Sequence, residues 1–270
     1  MAADVLALVV TTSETDASTF RSVRFVLTDM DETLTHHERL SARTYDSLER
    51  LQQAGVKVIP VTAAPAGWCD QMARMWPLDG VIGENGGFFF RRGDQGLERM
   101  YWHSTKDQPF VAQYLVGEIA QRVQAAVPAA VLAQDQPYRL TSVAFNRPQD
   151  EETRSALTAA LQEAGAGVAA NDLWVVGWIG GYDKLTMTRR ILAEVYGVNI
   201  DADRDTVLYV GDSSNDASMF AFFHHTVGVS TVTRYLSEIP IPPYWITSGP
   251  GGEGFVEAAD AVIRSRTSAI

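Results

Sequence analysis

Apolar and polar positions along the chain fall into two alternating textures. Residues 23–28, VRFVLT, are almost wholly apolar, as in a strand buried on both faces. In SARTYDSLERLQQAG (41–55), Tyr45, Leu48 and Leu51 then share one helical face. Ser41 is placed as N-cap and Gly55 as the stop. VKVIPVT (56–62) predicts a second strand, GWCDQMARMW (67–76) a helix and GVIG (80–83) a third strand. The same alternation returns late: DKLTMTRRILAEVYG (183–197) reads as helix, DTVLYVGD (205–212) as strand and NDASMFAFF (215–223) as helix. HTVGV (225–229) then reads as strand and GEGFVEAADAVIR (252–264) as helix. This alternation predicts an α/β fold, a doubly wound parallel sheet, with right-handed crossovers placing the first three strands in one sheet.

Between these two stretches the texture changes. FFFRRGD (88–94) reads as a strand running into a turn, and FVAQYLVGEIAQRVQAAV (110–127) as one long amphipathic helix. Residues 88–180 are therefore expected to form an inserted α/β domain, with 1–87 and 181–270 as the core. Residues 1–20 are expected to be a short helix and a loose connector. The proline-rich IPIPPYW (239–245) reads as a surface loop.

Charge narrows the functional classes. Lys and Arg number 22 against 33 Asp and Glu, a net charge of −11 with no basic cluster, which argues against nucleic-acid partners. The lone cysteine, Cys69, excludes an internal disulfide and reads as a buried structural thiol. VLALVV (5–10) is too short for a membrane span and lacks the basic flank of a signal peptide. A cytoplasmic protein is the expectation.

The chemistry lies at predicted strand ends, where doubly wound sheets bind ligands. Asp29 and Asp31 follow the first strand, Thr62 the second, and Asp212 and Asp216 the strand VLYVG. Gathered in one crevice, these carboxylates would repel one another and take up protons unless a cation were bound. Carboxylate and carbonyl oxygens suit Mg²⁺, which shares its coordination shell readily with phosphate. Phosphate esters are then the natural substrates.

Four stretches in order, DMDET (29–33), Thr62, Lys184 and GDSSND (211–216), resemble the motifs of the haloacid dehalogenase-like superfamily. An insertion between the second and third motifs resembles that superfamily's large α/β cap, on a Rossmann-like core. ENGG (84–87) and the GDSxND form resemble its Cof-like and sugar-phosphate phosphatase branch. The resemblance implies a phosphatase acting on a small phosphorylated metabolite through an aspartyl-phosphate. Asp29 would be the nucleophile and Asp31 the acid and base. Mg²⁺ would be held by the carboxylates of Asp29 and Asp212 and the Asp31 carbonyl. Thr62, Lys184 and Asn215 would bind phosphate, with Asp216 holding Lys184.

One departure stands out: the family commonly has Gly-Arg after the second-motif threonine, and this chain has Ala63-Ala64. His36 and His37 read as surface residues, and Trp174, Trp178 and Tyr182 as core or hinge packing. The nearest rival reading is a hexose-phosphate phosphomutase of the same superfamily; a non-catalytic binding or regulatory protein is the other. Glycines in GENGG (83–87) and IGGYD (179–183) would serve as hinges for a cap that closes over the site.

Overall fold

The computed structural model describes residues 10–11, 18–170 and 173–267. Strand β1 (Val10–Thr11) is followed by β2 (Phe25–Thr28), the hairpin β3 (Thr35–His36) and β4 (Arg39–Leu40), and helix α1 (Ala42–Gln53). Next come β5 (Lys57–Pro60), α2 (Ala66–Met75), β6 (Val81–Gly83), β7 (Phe88–Gly93) and β8 (Gly96–Tyr101). The middle third holds α3 (Gln108–Gln113), a π-helical segment (Tyr114–Ile119), α4 (Ala120–Ala126), β9 (Ser142–Asn146), α5 (Glu151–Glu163), β10 (Gly167–Ala170) and β11 (Trp174–Trp178). The chain closes with α6 (Lys184–Tyr196), β12 (Val207–Gly211), α7 (Ala217–Phe222), β13 (His225–Gly228), β14 (Trp245–Ile246) and α8 (Gly251–Thr267).

The principal sheet has six parallel strands in the order β1-β14-β13-β12-β2-β5. Alternate residues feed two cores, as period-2 side chains on a doubly covered sheet must. Val26, Val58, Leu208 and Val210 pack with Leu48 and Leu51 of α1, Met72 of α2 and Val262 of α8. Phe25, Leu27, Ile59 and Tyr209 pack on the other face with Met187 and Ile191 of α6 and Phe220 of α7. The expected doubly wound α/β core is therefore present.

The inserted α/β cap has its own antiparallel sheet, β10-β11-β9. Val143, Phe145 and Val175 of that sheet pack against Leu157 and Leu161 of α5 and the stripe Val111, Leu115, Ile119, Val123 and Val127. Steps of four residues drift about 40° around an α-helix. The π-helical turn at 114–119 winds more residues into one turn and returns the stripe to the core. The predicted single helix over 110–127 is thus one helical run with a π turn built in.

Three expectations change. The hairpin β7–β8 pairs with β6, and Phe88, Phe89 and Phe90 join the two cores of the principal domain. The boundary expected at residue 88 therefore falls after β8, because three consecutive phenylalanines on an antiparallel strand bury rings on both faces of the core. Strand β6 touches β5 through a single parallel bridge, Val61 to Ile82, so the third predicted strand joins the sheet only at that point. Finally, Val10–Thr11 is a strand paired with Trp245–Ile246. Both segments had been expected outside the sheet; the rest of the expected N-terminal helix and connector lies largely outside the described residues.

Candidate active site

The parallel ladder of β2 and β12 runs one step beyond the strands. The Asp29 N–H donates to the Val210 carbonyl at 2.9 Å, which fixes Asp29 beside the turn that carries Asp212. Asp29 Oδ1 accepts from the Met30 N–H at 2.7 Å. Its Oδ2 lies 3.0 Å from Lys184 Nζ. Lys184 begins α6 behind an Asp183 capping box with Thr186, and its ammonium also donates to Asp216 Oδ1 at 2.8 Å. Asp216 accepts further from the Tyr209 hydroxyl at 2.5 Å and from the N–H groups of Asp212 and Ser213 at 3.0 and 3.3 Å. Asp212 accepts from the Thr33 hydroxyl at 3.1 Å. The sequence-predicted Asp29, Lys184, Asp212 and Asp216 thus meet directly across 187 positions of chain.

Burial dominates the electrostatics. The Asp29 carboxyl is raised to about 6 by loss of water, with Lys184 opposing the shift. Asp31 is raised to about 7 by burial and then by the charge of Asp29. Asp212 is pushed well up by burial, Asp216 and Asp29. For Lys184, burial alone would favour the neutral amine, but Asp216 and Asp29 outweigh it and raise its pKa.

Oxygens of Asp29, Asp212 and Asp216 lie within 4.8 Å of one another. Each Asp216 oxygen already has two partners, whereas each Asp29 oxygen has one and Asp212 accepts once, which leaves Asp29 and Asp212 as the carboxylates with lone pairs free for a cation. An all-oxygen donor set of this kind, electrostatically short of positive charge, fits a hard dication such as Mg²⁺. A second trio, Glu32, His36 and His37, is satisfied internally. Glu32 Oε2 meets His36 Nδ1 at 2.8 Å and Oε1 accepts from the His37 N–H at 2.8 Å. His37, expected at the surface, nevertheless lines the mouth of the cavity over Asp29.

Thr62 and Asn215 are joined to each other through a residue that the sequence reading did not single out, Asn85. Thr62 is fully buried, its hydroxyl oxygen accepts from the Ala64 N–H at 3.0 Å, and its carbonyl accepts from the Asn85 N–H at 2.9 Å. Asn215 Nδ2 donates to Asn85 Oδ1 at 3.5 Å. Glu84 was missed as well. Its Oε1 accepts from the N–H groups of Ala66 and Leu140 at 3.0 and 2.8 Å. Its Oε2 accepts from the Thr141 N–H at 2.7 Å and from the hydroxyls of Thr141 and Ser142 at 2.8 Å each. One buried carboxylate thereby ties α2 of the core to the root of the cap. The signal was a Glu-Asn pair inside GENGG, where glycines on both sides mark a constrained turn.

The guanidinium absent after Thr62 arrives from the cap. Arg139 is buried, donates to the Ala63 carbonyl at 2.9 Å and to the Ser142 hydroxyl at 3.2 Å, and forks onto Asp135 at 2.8 and 3.4 Å. Its cation lies 5.1 Å from the Trp174 ring. With β7–β8 in the principal domain, GENGG is a packed turn of that domain and not a linker to the cap. A Cβ at Gly86 would strike the carbonyl of Asp183, the N-cap of α6, and one at Gly87 the Thr141 hydroxyl. These glycines permit close approach of the turn to the start of α6 and to Thr141, a tighter role than the hinging expected of them.

Two adjoining cavities open at the carboxylates. One, of about 360 Å³, is lined by Asp29, Asp31, Glu38, Asp212 and Arg234 among others. The other, of about 580 Å³, runs from Asp31 between core and cap and is walled by Trp68, Trp76 and Trp174 with Gln71, Gln134 and Asn146. Trp174 therefore faces the cleft, whereas Trp178 and Tyr182 are buried as expected. Cys69 is buried too, and burial raises its thiol pKa. Among the described residues no helix is long and apolar enough to cross a membrane.

Comparison with known proteins agrees with this arrangement. The profile of haloacid dehalogenase-like hydrolases matches residues 26–115, which include the DMDET motif and Thr62. A phosphoglycolate phosphatase of Methanoculleus marisnigri is 26% identical over 241 residues, covering 87% of this chain and 95% of its own. A Thermoplasma acidophilum protein shares the fold with a TM-score of 0.70 at 18% identity, over 90% of this chain and 99% of that one. The sucrose-phosphatase of Synechocystis, solved with sucrose and phosphate, does so with 0.62 at 16% identity, over 88% and 97%. With the family profile matched over residues 26–115, the fold shared, and Asp29, Lys184, Asp212 and Asp216 meeting in one buried centre, the chain resembles the haloacid dehalogenase-like hydrolases in motif and in fold.

Proposed function

We propose that the chain is a Mg²⁺-dependent phosphatase that hydrolyses a small phosphate monoester, a sugar phosphate first among candidates, through an aspartyl-phosphate on Asp29. The observation that carries this reading is the Asp29–Lys184–Asp216 chain beside Asp212, with Asp31 at the junction of the two cavities. Asp29 Oδ2 would attack phosphorus in line, expelling the alcohol. Lys184 orients that carboxylate and offsets charge gathering on the phosphoryl oxygens. Asp31, raised to about 7, is protonated in about half of the molecules at neutral pH, and it can give that proton to the departing alkoxide. As a base it would then take a proton from the water that cleaves the acyl phosphate. Thr62 and Asn215 would hold phosphoryl oxygens. Mg²⁺, held by the Asp29 and Asp212 carboxylates and the Asp31 carbonyl, would supply positive charge that lets an anionic nucleophile approach an anionic ester.

The alcohol would occupy the tryptophan-walled cavity, where ring faces and side-chain amides suit a hydroxylated, weakly charged group. The sucrose-phosphatase fold relative lends further support, by analogy of fold alone. Product analysis with hexose phosphates and Mg²⁺ is the test. Free phosphate in step with free sugar supports the proposal, and an isomerised sugar phosphate without phosphate release would make the chain a mutase.

A further inference from the structure

The geometry points to Asn85 as a further phosphate-binding residue, one that donates a hydrogen bond from its side-chain amide to the phosphoryl group; this rests on the phosphatase reading above. Asn85 is where the proposed phosphate ligands meet. Its N–H bonds the Thr62 carbonyl, its Oδ1 takes the Asn215 amide, and it lines a cavity of about 300 Å³ together with Lys184 and Asn215. The residue is 2% exposed, yet its Nδ2 has no hydrogen-bond partner among the described residues. A buried donor left unmatched costs roughly 1–3 kcal/mol, so a site that retains one is arranged for an acceptor that arrives later. Phosphoryl oxygens are acceptors, and Lys184, which borders this cavity and pairs with Asp29 Oδ2, connects it to the nucleophile.

Backbone conformation alone does not account for the side chain. Asn85 has φ 58° and follows Glu84 at φ 47°, in the left-handed region that asparagine tolerates and glycine adopts at least cost. A purely conformational requirement would be met as well by glycine, as at Gly86 next to it. The amide adds a donor that the turn does not use.

Two variants separate these roles. Asn85→Gly keeps the turn and removes the amide, and Asn85→Asp keeps size and shape but replaces the donor with an acceptor. Binding of inorganic phosphate in the presence of Mg²⁺, measured by calorimetry, is the primary readout; phosphate release from an ester and the melting temperature are measured beside it. Both folded variants are expected to bind phosphate at least fivefold more weakly than wild type and to lose turnover. A change in phosphate affinity of less than fivefold in either folded variant overturns the inference, even if turnover falls, because a structural role would not require the donor to meet phosphate. The parent reading fails separately: wild type that releases no phosphate from any ester while phosphate binding still depends on Asn85 would leave the binding site and remove the hydrolase chemistry.

Discussion

Replacing Glu84 by Gln tests the bond between core and cap with almost no change in shape. The carboxylate accepts at both oxygens, from two N–H groups at Oε1 and from one N–H and two hydroxyls at Oε2. A glutamine must turn its NH₂ toward one of these sets. At the Oε1 side it would confront the N–H groups of Ala66 and Leu140, neither of which can accept. At the Oε2 side the hydroxyls of Thr141 and Ser142 can rotate to accept, so only the Thr141 N–H is orphaned; this is the orientation the variant should choose. One buried N–H without a partner costs roughly 1–3 kcal/mol, and the remaining bonds lose their charge assistance, roughly another 1 kcal/mol or more. We expect a loss of about 3 kcal/mol. Equilibrium urea unfolding followed by tryptophan fluorescence would measure it, with the slope against urea compared as well, since cap and core could unfold separately. A loss below about 1 kcal/mol with an unchanged slope would refute the view that this carboxylate fastens the cap.

Three further outcomes follow from the site. Asp31→Asn should slow hydrolysis of a sugar phosphate at least tenfold more than that of an activated aryl phosphate, whose leaving group needs no proton; equal losses on both would assign Asp31 another role. Trp68→Ala should raise KM for a hexose phosphate while sparing a compact ester such as methyl phosphate, because the exposed Trp68 ring walls only the larger cavity; a uniform effect on both esters would count against that cavity as the alcohol site. In metal-free protein the folded pKa of Asp29, about 6, and of Asp31, about 7, lie above their unfolded values, so the stability gained from holding those protons is lost as pH rises through that range. The metal-free melting temperature should therefore fall between pH 5 and pH 8, and Mg²⁺ should recover it at pH 8; a metal-free protein that melts higher at pH 8 would contradict the cluster's electrostatics.

The parts of the centre that were legible in the sequence are those fixed by local pattern. An apolar run ending in Asp29, and another ending in Gly211-Asp212, mark carboxylates at strand ends, and parallel pairing of β2 with β12 brings them together. Lys184 was legible only in company with them, since a lysine at a helix start is ordinary alone. What escaped depends on contacts between distant segments. Glu84 is made important by Leu140, Thr141 and Ser142, and Arg139 by Ala63; neither has a periodicity or a neighbouring residue type that announces its partner. The hairpin β7–β8 was assigned to the cap because FFFRRGD begins a new texture, but three adjacent rings can be buried only where both faces of a strand are covered, and the core covers them. The edge pair β1–β14 was missed because two-residue strands carry no period. Trp174 was ambiguous for a different reason: a large amphipathic ring serves a core or a cleft equally well, and the cation of Arg139 against it settles which face is left to the cavity.

The central claim is that Asp29 forms a covalent bond to phosphorus, and it is tested most directly by measuring phosphate release from a panel of sugar and short-chain phosphate esters, with Mg²⁺, for wild type and Asp29→Asn side by side. An amide cannot form the acyl phosphate and is a poorer ligand for a dication, while its size leaves the Met30 and Val210 contacts of the loop in reach. The account predicts turnover by wild type on at least one ester and none above background by the variant. Turnover by folded Asp29→Asn within tenfold of wild type, about 1.4 kcal/mol of barrier, would contradict it.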